Sequence, residues 1–302
     1  MGAVVRAVMH QAPNGVQLTV PTYIEGNDEV VHPSVVDAGS GGWNGHRWWM
    51  AATPYPASDN TKENPSIWVS DDRVTWTVPA GGTNPVAPFP GSGYNSDPHL
   101  VLHAGTLHLF WRYFGADEYI KHRSSTDGVT WSSETTVLTS DFTISRPISP
   151  AVVRGSDGTW RMWAIDIIKI GDGLGGMGLW TASAPTGPWT FVGDTTLTAP
   201  SGKELWHVDV VEHGGLYQAL VMVTNPGSAG GGGQLYIATS PNGTTFTRYD
   251  QPTMWGRSDQ WDGSIYRASW LARDDDEDTW DIWYSGLGGG VGWGIGHTTI
   301  DR

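Results

Sequence analysis

The stretch STDGVTW, Ser125 to Trp131, reads as a tight turn feeding a strand: Asp127 accepts neighbouring backbone N–H groups, Gly128 supplies a positive φ, and a β-branched run ends on an aromatic. The pattern comes back along the chain. SDDRVTW starts at Ser70, SAPTGPW at Ser183 and SPNGTTF at Ser240, each with its aromatic six positions after the serine, and successive starts are 55, 58 and 57 residues apart. One period earlier lies APNGVQL at Ala12, and one period later GHTT around Thr298, so five periods fill the chain. That spacing holds four strands with generous loops, which is the period of a propeller blade and not of a solenoid turn.

Upstream of each turn a polar residue opens a short apolar strand: HPSVV from His32, DPHLV from Asp97, SPAVV from Ser149, HVDVV from His207 and DGSIY from Asp262. An aromatic-rich second strand follows, as in HRWWMAA and TWDIWYS, and then a third, as in SIWVS and QLYIATS. The expectation is an all-β, five-bladed β-propeller with four antiparallel strands per blade. The last period stops at Arg302 before its outer strand, while PNGVQLTV is spare near the start, so residues 1–20 are expected to lead in and close the ring within one domain over 1–302. The turn itself resembles the Asp-box of sialidases, a structural device, with Ser125, Asp127, Gly128 and Trp131 the closest copy.

Composition agrees with this architecture and narrows the chemistry. The chain has 41 Gly, 19 Pro and 18 Trp with 16% charged residues, a signature of short strands and tight turns. Its 17 Lys and Arg stand against 31 Asp and Glu, a net charge of −14 that repels phosphate backbones and anionic membranes. Nucleic acid and membrane insertion are therefore not expected. No cysteine is present, which excludes disulfides and thiolate metal sites, and the N-terminal residues lack a signal-peptide core.

In an antiparallel blade the start of strand one and the hairpin joining strands two and three share a rim, and a ligand pocket is expected there. The candidate ligand-binding residues are His32, Tyr55, Glu63, Asn64, Asp97, Arg112, Ser149, Asp166, Trp206, His207 and Asp262; Trp255, Trp261 and Trp293 also fall in rim loops. The glycine-rich runs GDGLGGMG, SAGGGGQ and GLGGGVGWG are expected on the same rim, without the lysine of a phosphate-binding loop. His32 and His207 are read as buried polar partners or, alternatively, as a pair holding an axial ion through water; no metal or other cofactor is expected, and RDDDEDTW is read as a solvated tip or, alternatively, a calcium site.

Five inner strands opened by Asp-Pro or its relatives, with aromatic second strands, resemble the propellers of glycoside hydrolase family 43. The resemblance implies hydrolysis of furanosides or xylosides by three carboxylates on blades one, three and four. Those positions fall on His32 and Ser149, and near His207 with Glu204 three residues early, so the family mechanism does not transfer; Asp97 and Asp262, with Glu204 or Glu63 as a partner, remain as candidates for a rearranged acid pair. HPSVV, GGWNGHRWWMAATPYP and ENPSIWVSDDRVTWTVP also resemble propeller modules of bacteriophage tail and tail-tip proteins. That resemblance implies a virion protein that binds a host cell-surface polysaccharide, contacts other tail proteins and is displayed as a symmetric oligomer. The expectation is such a carbohydrate-binding module; the alternatives are a family 43-like glycosidase and a purely structural tail subunit.

Overall fold

The computed structural model describes residues 15–140, 145–168, 176–228, 231–276 and 278–301. Strand β1 (Val16–Gln17) comes first. Blade one follows with β2 (Val30–Asp37), β3 (Trp48–Pro54) and β4 (Ser66–Ser70), and blade two with β5 (Tyr94–His103), β6 (Thr106–Phe114), β7 (Glu118–Ser125) and β8 (Thr135–Ser140). Blade three is β9 (Pro147–Arg154), β10 (Trp160–Asp166), β11 (Met177–Ala182) and β12 (Thr190–Asp194). Blade four is β13 (Glu204–His213), β14 (Leu216–Thr224), β15 (Gln234–Ser240), β16 (Thr247–Arg248) and β17 (Met254–Trp255); blade five is β18 (Ser264–Ala272), β19 (Thr279–Leu287) and β20 (Trp293–Asp301). Each blade is an antiparallel meander, and the outer position of blade one is held by the single bridge Val69↔Thr77.

The ring closes as the spare sequence suggested. Val16 pairs with His297 and Gln17 with Gly296, which makes β1 the outermost strand of blade five, and Leu18 N donates to Ile295 O at 2.8 Å. Residues 1–14, including the APN of the first turn, lie outside the described residues.

The recurring turn has a physical explanation. Asp127 Oδ1 accepts from Val129 N at 2.8 Å and Thr130 N at 2.6 Å, while Ser125 Oγ accepts from Gly128 N at 2.8 Å. Three of these turns meet the blade before them. A Cβ on Gly128 would lie 2.2 Å from the Trp49 ring of blade one, Trp163 of blade three donates to Gly243 O at 2.8 Å, and Trp283 of blade five donates to Arg73 O at 3.0 Å. The turn is thus a lock between blades, and the second-strand tryptophan is its counterpart. Accordingly the buried apolar residues form five clusters, one at each blade interface, instead of one central core. That arrangement leaves the axis to polar side chains.

Candidate active site

The inner strands β2, β5, β9, β13 and β18 all lose register near their rim ends. In the first three blades the extra residues are His32-Pro33, Asp97-Pro98 and Ser149-Pro150, and His32, Asp97 and Ser149 sit at φ of 61°, 51° and 55°. Positive φ on non-glycine residues is strain concentrated at one place. In blade four the bulge falls at Trp206, next to His207, and in blade five at Tyr266-Arg267. These bulges turn side chains to the axis that regular pleating would send to the blade interfaces.

Asp97 is the hub of the resulting cluster. Its Oδ1 lies 3.5 Å from His32 Nε2, 3.5 Å from His207 Nδ1 and 3.8 Å from Arg267 Nη1. Those separations are beyond good hydrogen bonds, and His32 Nε2, Asp97 Oδ1 and His207 Nδ1 are buried with no hydrogen-bond partner. Donor atoms of the three residues fall within 4.8 Å of one another. Ligand atoms about 2.1 Å from a shared cation stand roughly 3.0–3.5 Å apart, so the three residues fit a divalent metal. His32 Nδ1, meanwhile, contacts Thr53 Oγ1 and Glu63 Oε1, each at 3.2 Å. An Nδ1–H donated to Glu63 leaves the Nε2 lone pair directed at the cluster, the usual second contact of a ligating histidine.

The electrostatics suit that role. Burial alone would raise the Asp97 carboxyl, but His32, His207, Arg267 and Arg112 hold it well below the usual carboxylate range. Burial keeps His207 neutral despite Asp97. Glu63 moves the other way: burial raises its carboxyl against the pull of His32. Tyr266 is partly buried, its hydroxyl pushed up in pKa first by desolvation and then by Asp97, and its oxygen accepts from Trp206 Nε1 at 3.0 Å.

These groups open into a cavity of about 450 Å³. Of the residues expected there, His32, Tyr55, Glu63, Asp97, Arg112, Trp206 and His207 line it; Asn64, Ser149, Asp166 and Asp262 do not, nor does Glu204. Asn64 bonds Tyr23 and Asn95, Ser149 Oγ bridges to Val208 of the next blade, and Asp166 accepts from Arg146 N and Ile168 N. Glu204 accepts from Gly227 N. Asp262 is held by Arg257 Nε at 2.9 Å and Tyr284 OH at 2.9 Å, so the proposed Asp97–Asp262 pair is not brought together in the cavity. The axial position of blade five belongs instead to Tyr266 and Arg267, four and five residues later. Tyr94, Ser96, Arg146, Tyr266 and Trp293 also line the cavity; of these only Trp293 had been noted, as a rim tryptophan. The glycine-rich hairpins contribute Gly231 and Leu287, while most of GDGLGGMG lies outside the described residues. In RDDDEDTW, Asp274 pairs with Arg47 and Asp276 caps Thr279, and no acidic metal cluster forms there among the described residues.

No family model matches the chain. It is 34% identical over 141 residues to a protein of Flavonifractor plautii named as an A type blood N-acetyl-α-D-galactosamine deacetylase; the match covers 44% of this chain but only 18% of that protein. Among solved structures, an N-acetylgalactosamine deacetylase from F. plautii in complex with blood group B trisaccharide superimposes with a TM-score of 0.83 at 22% identity, covering 96% of this chain and 95% of that one. A thermostable family-43 glycoside hydrolase gives 0.65 at 13% identity over 96% and 92%, and an exo-1,5-α-L-arabinanase from a bovine ruminal metagenomic library 0.62 at 15% over 91% and 93%. The relative matched in sequence and the structures that share the fold are named for activities on carbohydrates. This overturns the expectation of a phage tail or tail-tip binding module, which rested on wording shared by the first blade; the glycoside-hydrolase likeness of the fold stands.

Proposed function

We propose that this protein is a metal-assisted hydrolase that removes the acetyl group from an N-acetylated amino sugar. The observation that carries the reading is the convergence of the unpartnered His32 Nε2, Asp97 Oδ1 and His207 Nδ1 beside a carboxyl of raised pKa, Glu63. The partial sequence match to a deacetylase supports it. A divalent cation held by these three residues would polarise an amide carbonyl and acidify water. Glu63, in its ionised form, takes a proton from water and returns it to the departing nitrogen as acetate leaves. Tyr266, neutral and receiving the Trp206 N–H, keeps its own O–H proton to donate to the carbonyl oxygen as charge builds there. Trp206, Tyr266 and Trp293, the latter two with rings 5.3 Å apart, form an aromatic wall for a sugar face.

A family 43-type glycosidase is the less favoured reading, because it needs an acid and a base flanking one glycosidic bond. Asp97 is committed to two histidines and an arginine, and Glu204 does not line the cavity and accepts from Gly227 N. The test is acetate release from N-acetylgalactosaminides and N-acetylglucosaminides after loading with Zn²⁺, Mn²⁺ or Co²⁺. Release should disappear with chelator and in His207→Ala, and reducing sugar should not accumulate. Reducing-sugar release without acetate, unaffected by chelator, would move the assignment to the glycosidase.

A further inference from the structure

One wall of the cavity carries two guanidinium groups that deacetylation itself does not require. Arg112, from β6, and Arg146, just ahead of β9, both line it. They converge on one carboxylate oxygen: Arg112 Nη2 lies 2.7 Å and Arg146 Nε 3.7 Å from Glu118 Oε1. Both lean on the same ring, with Cζ 5.4 Å from the Phe114 centroid in each case, and Arg112 also sits 5.3 Å from that of Tyr94. Aromatic faces and a wholly buried glutamate therefore fix where the two forks stand. The remaining contacts of Arg112 Nη1, to Ser96 Oγ at 3.3 Å and Tyr94 OH at 3.4 Å, are at the long limit of hydrogen bonding and are readily exchanged for a better acceptor.

The charge of the cavity points the same way. Its lining acids are Glu63 and Asp97 and its lining arginines are Arg112 and Arg146, with Glu118 behind them. With every one of these groups ionised, a divalent cation on His32, Asp97 and His207 together with Arg112 and Arg146 would still outweigh Glu63, Asp97 and Glu118. The loaded cavity is then positive inside a chain of net charge −14. A neutral sugar makes no use of that field; planar forks match a carboxylate or a sulfate two bonds at a time. Resting on the deacetylase reading, we propose that the natural substrate bears an anionic group, a uronate carboxylate or an O-sulfate ester, near the N-acetylated sugar, and that Arg112 and Arg146 receive it.

The experiment compares three disaccharides on the metal-loaded protein: a neutral N-acetylhexosaminide, the same with a neighbouring uronic acid, and the same with an O-sulfate. Two readouts run in parallel, acetate release as kcat/KM and equilibrium binding followed by calorimetry. The expected result is a preference of at least about tenfold for one anionic disaccharide over the neutral one in both readouts, a difference of about 1.4 kcal/mol. Which anion is preferred identifies its source. Arg146→Gln and Arg112→Lys should each reduce the ratio to about twofold, circular dichroism confirming the fold; the ratio and not the absolute rate is read. A neutral sugar bound as well as both anionic ones, or a ratio unchanged in Arg146→Gln, overturns the proposal. If no sugar releases acetate, the deacetylase reading falls while the binding ratios still decide whether the wall selects anions.

Discussion

Two buried carboxyls separate chemistry from support. Glu63 lines the cavity and touches His32, whereas Asp262, fully buried, is spent on Arg257 and Tyr284. Glu63→Gln keeps the shape but cannot take a proton, so kcat should fall by about 100-fold or more with little change in melting temperature. Because the raised carboxyl must be ionised to act, the wild-type rate should also fall away on the acid side of a limb above the ordinary carboxylate pKa. Asp262→Asn should do the reverse: it strands Arg257, costing about 3 kcal/mol of stability, with metal-dependent activity retained in the surviving fold. Loss of activity in Asp262→Asn at full stability would return that residue to the site. The same contrast explains what could be read from residue types alone. A polar residue opening an apolar strand marks the axis at His32, Asp97 and His207, but in blade five Asp262 mimics the pattern while the bulge falls at Tyr266-Arg267. Bulge position depends on pairing with β19, which residue spacing does not encode.

At the level of elements, the turn after each third strand is legible because its hydrogen bonds are local, and its meaning is not, because its partner lies a blade away. Gly128 and Gly105 make a controlled comparison. Both have φ of 73°, so alanine at either meets the left-handed penalty of about 1 kcal/mol. A Cβ on Gly105 meets nothing within 4 Å, whereas on Gly128 it meets Trp49 at 2.2 Å, a buried ring that cannot yield without opening the interface of blades one and two. Gly128→Ala should therefore cost at least about 2 kcal/mol more than Gly105→Ala in urea melts. Equal costs would mean that the turn is only a turn. The periodicity of 55 to 58 residues foretold the five blades and the closing strand. It did not foretell the outer edge of blade one, where Ile67 N bonds Asn84 Oδ1 and Val69 bridges Thr77 in place of a full fourth strand.

For the whole molecule, a ring held by five separate interfaces should respond to acid through the histidines that those interfaces and the axis bury. Blade two carries such a pair: His108 Nδ1 lies 3.1 Å from His122 Nε2, with the Trp160 ring of blade three against His108 at 5.3 Å. One ring donates to the other, an arrangement that survives only while at least one is neutral. Burial pushes both down to about 4, each further lowered by a neighbouring histidine. An unfolded histidine binds its proton near pH 6.5, so between about 6.5 and 4 the unfolded chain holds more protons than the folded one. Stability is then fully present above pH 6.5 and drains as the pH falls toward 4. Asp209, raised to about 6 by burial, works in the opposite sense between its unfolded value and 6, and offsets part of the loss. Asp72 and Asp127, lowered to about 2, by hydrogen bonds of the turn that for Asp72 outweigh burial, release their share only below pH 4. The melting temperature should thus be level above pH 7, fall between 6.5 and 4, and fall again below. His99, lowered to about 3 by burial, and His207, also lowered by burial, drain stability over the same window, so His108→Asn combined with His122→Gln should make the first fall shallower without abolishing it and leave the second; a double variant whose melting curve still drops between pH 6.5 and 4 as steeply as wild type would place the acid response at those other histidines.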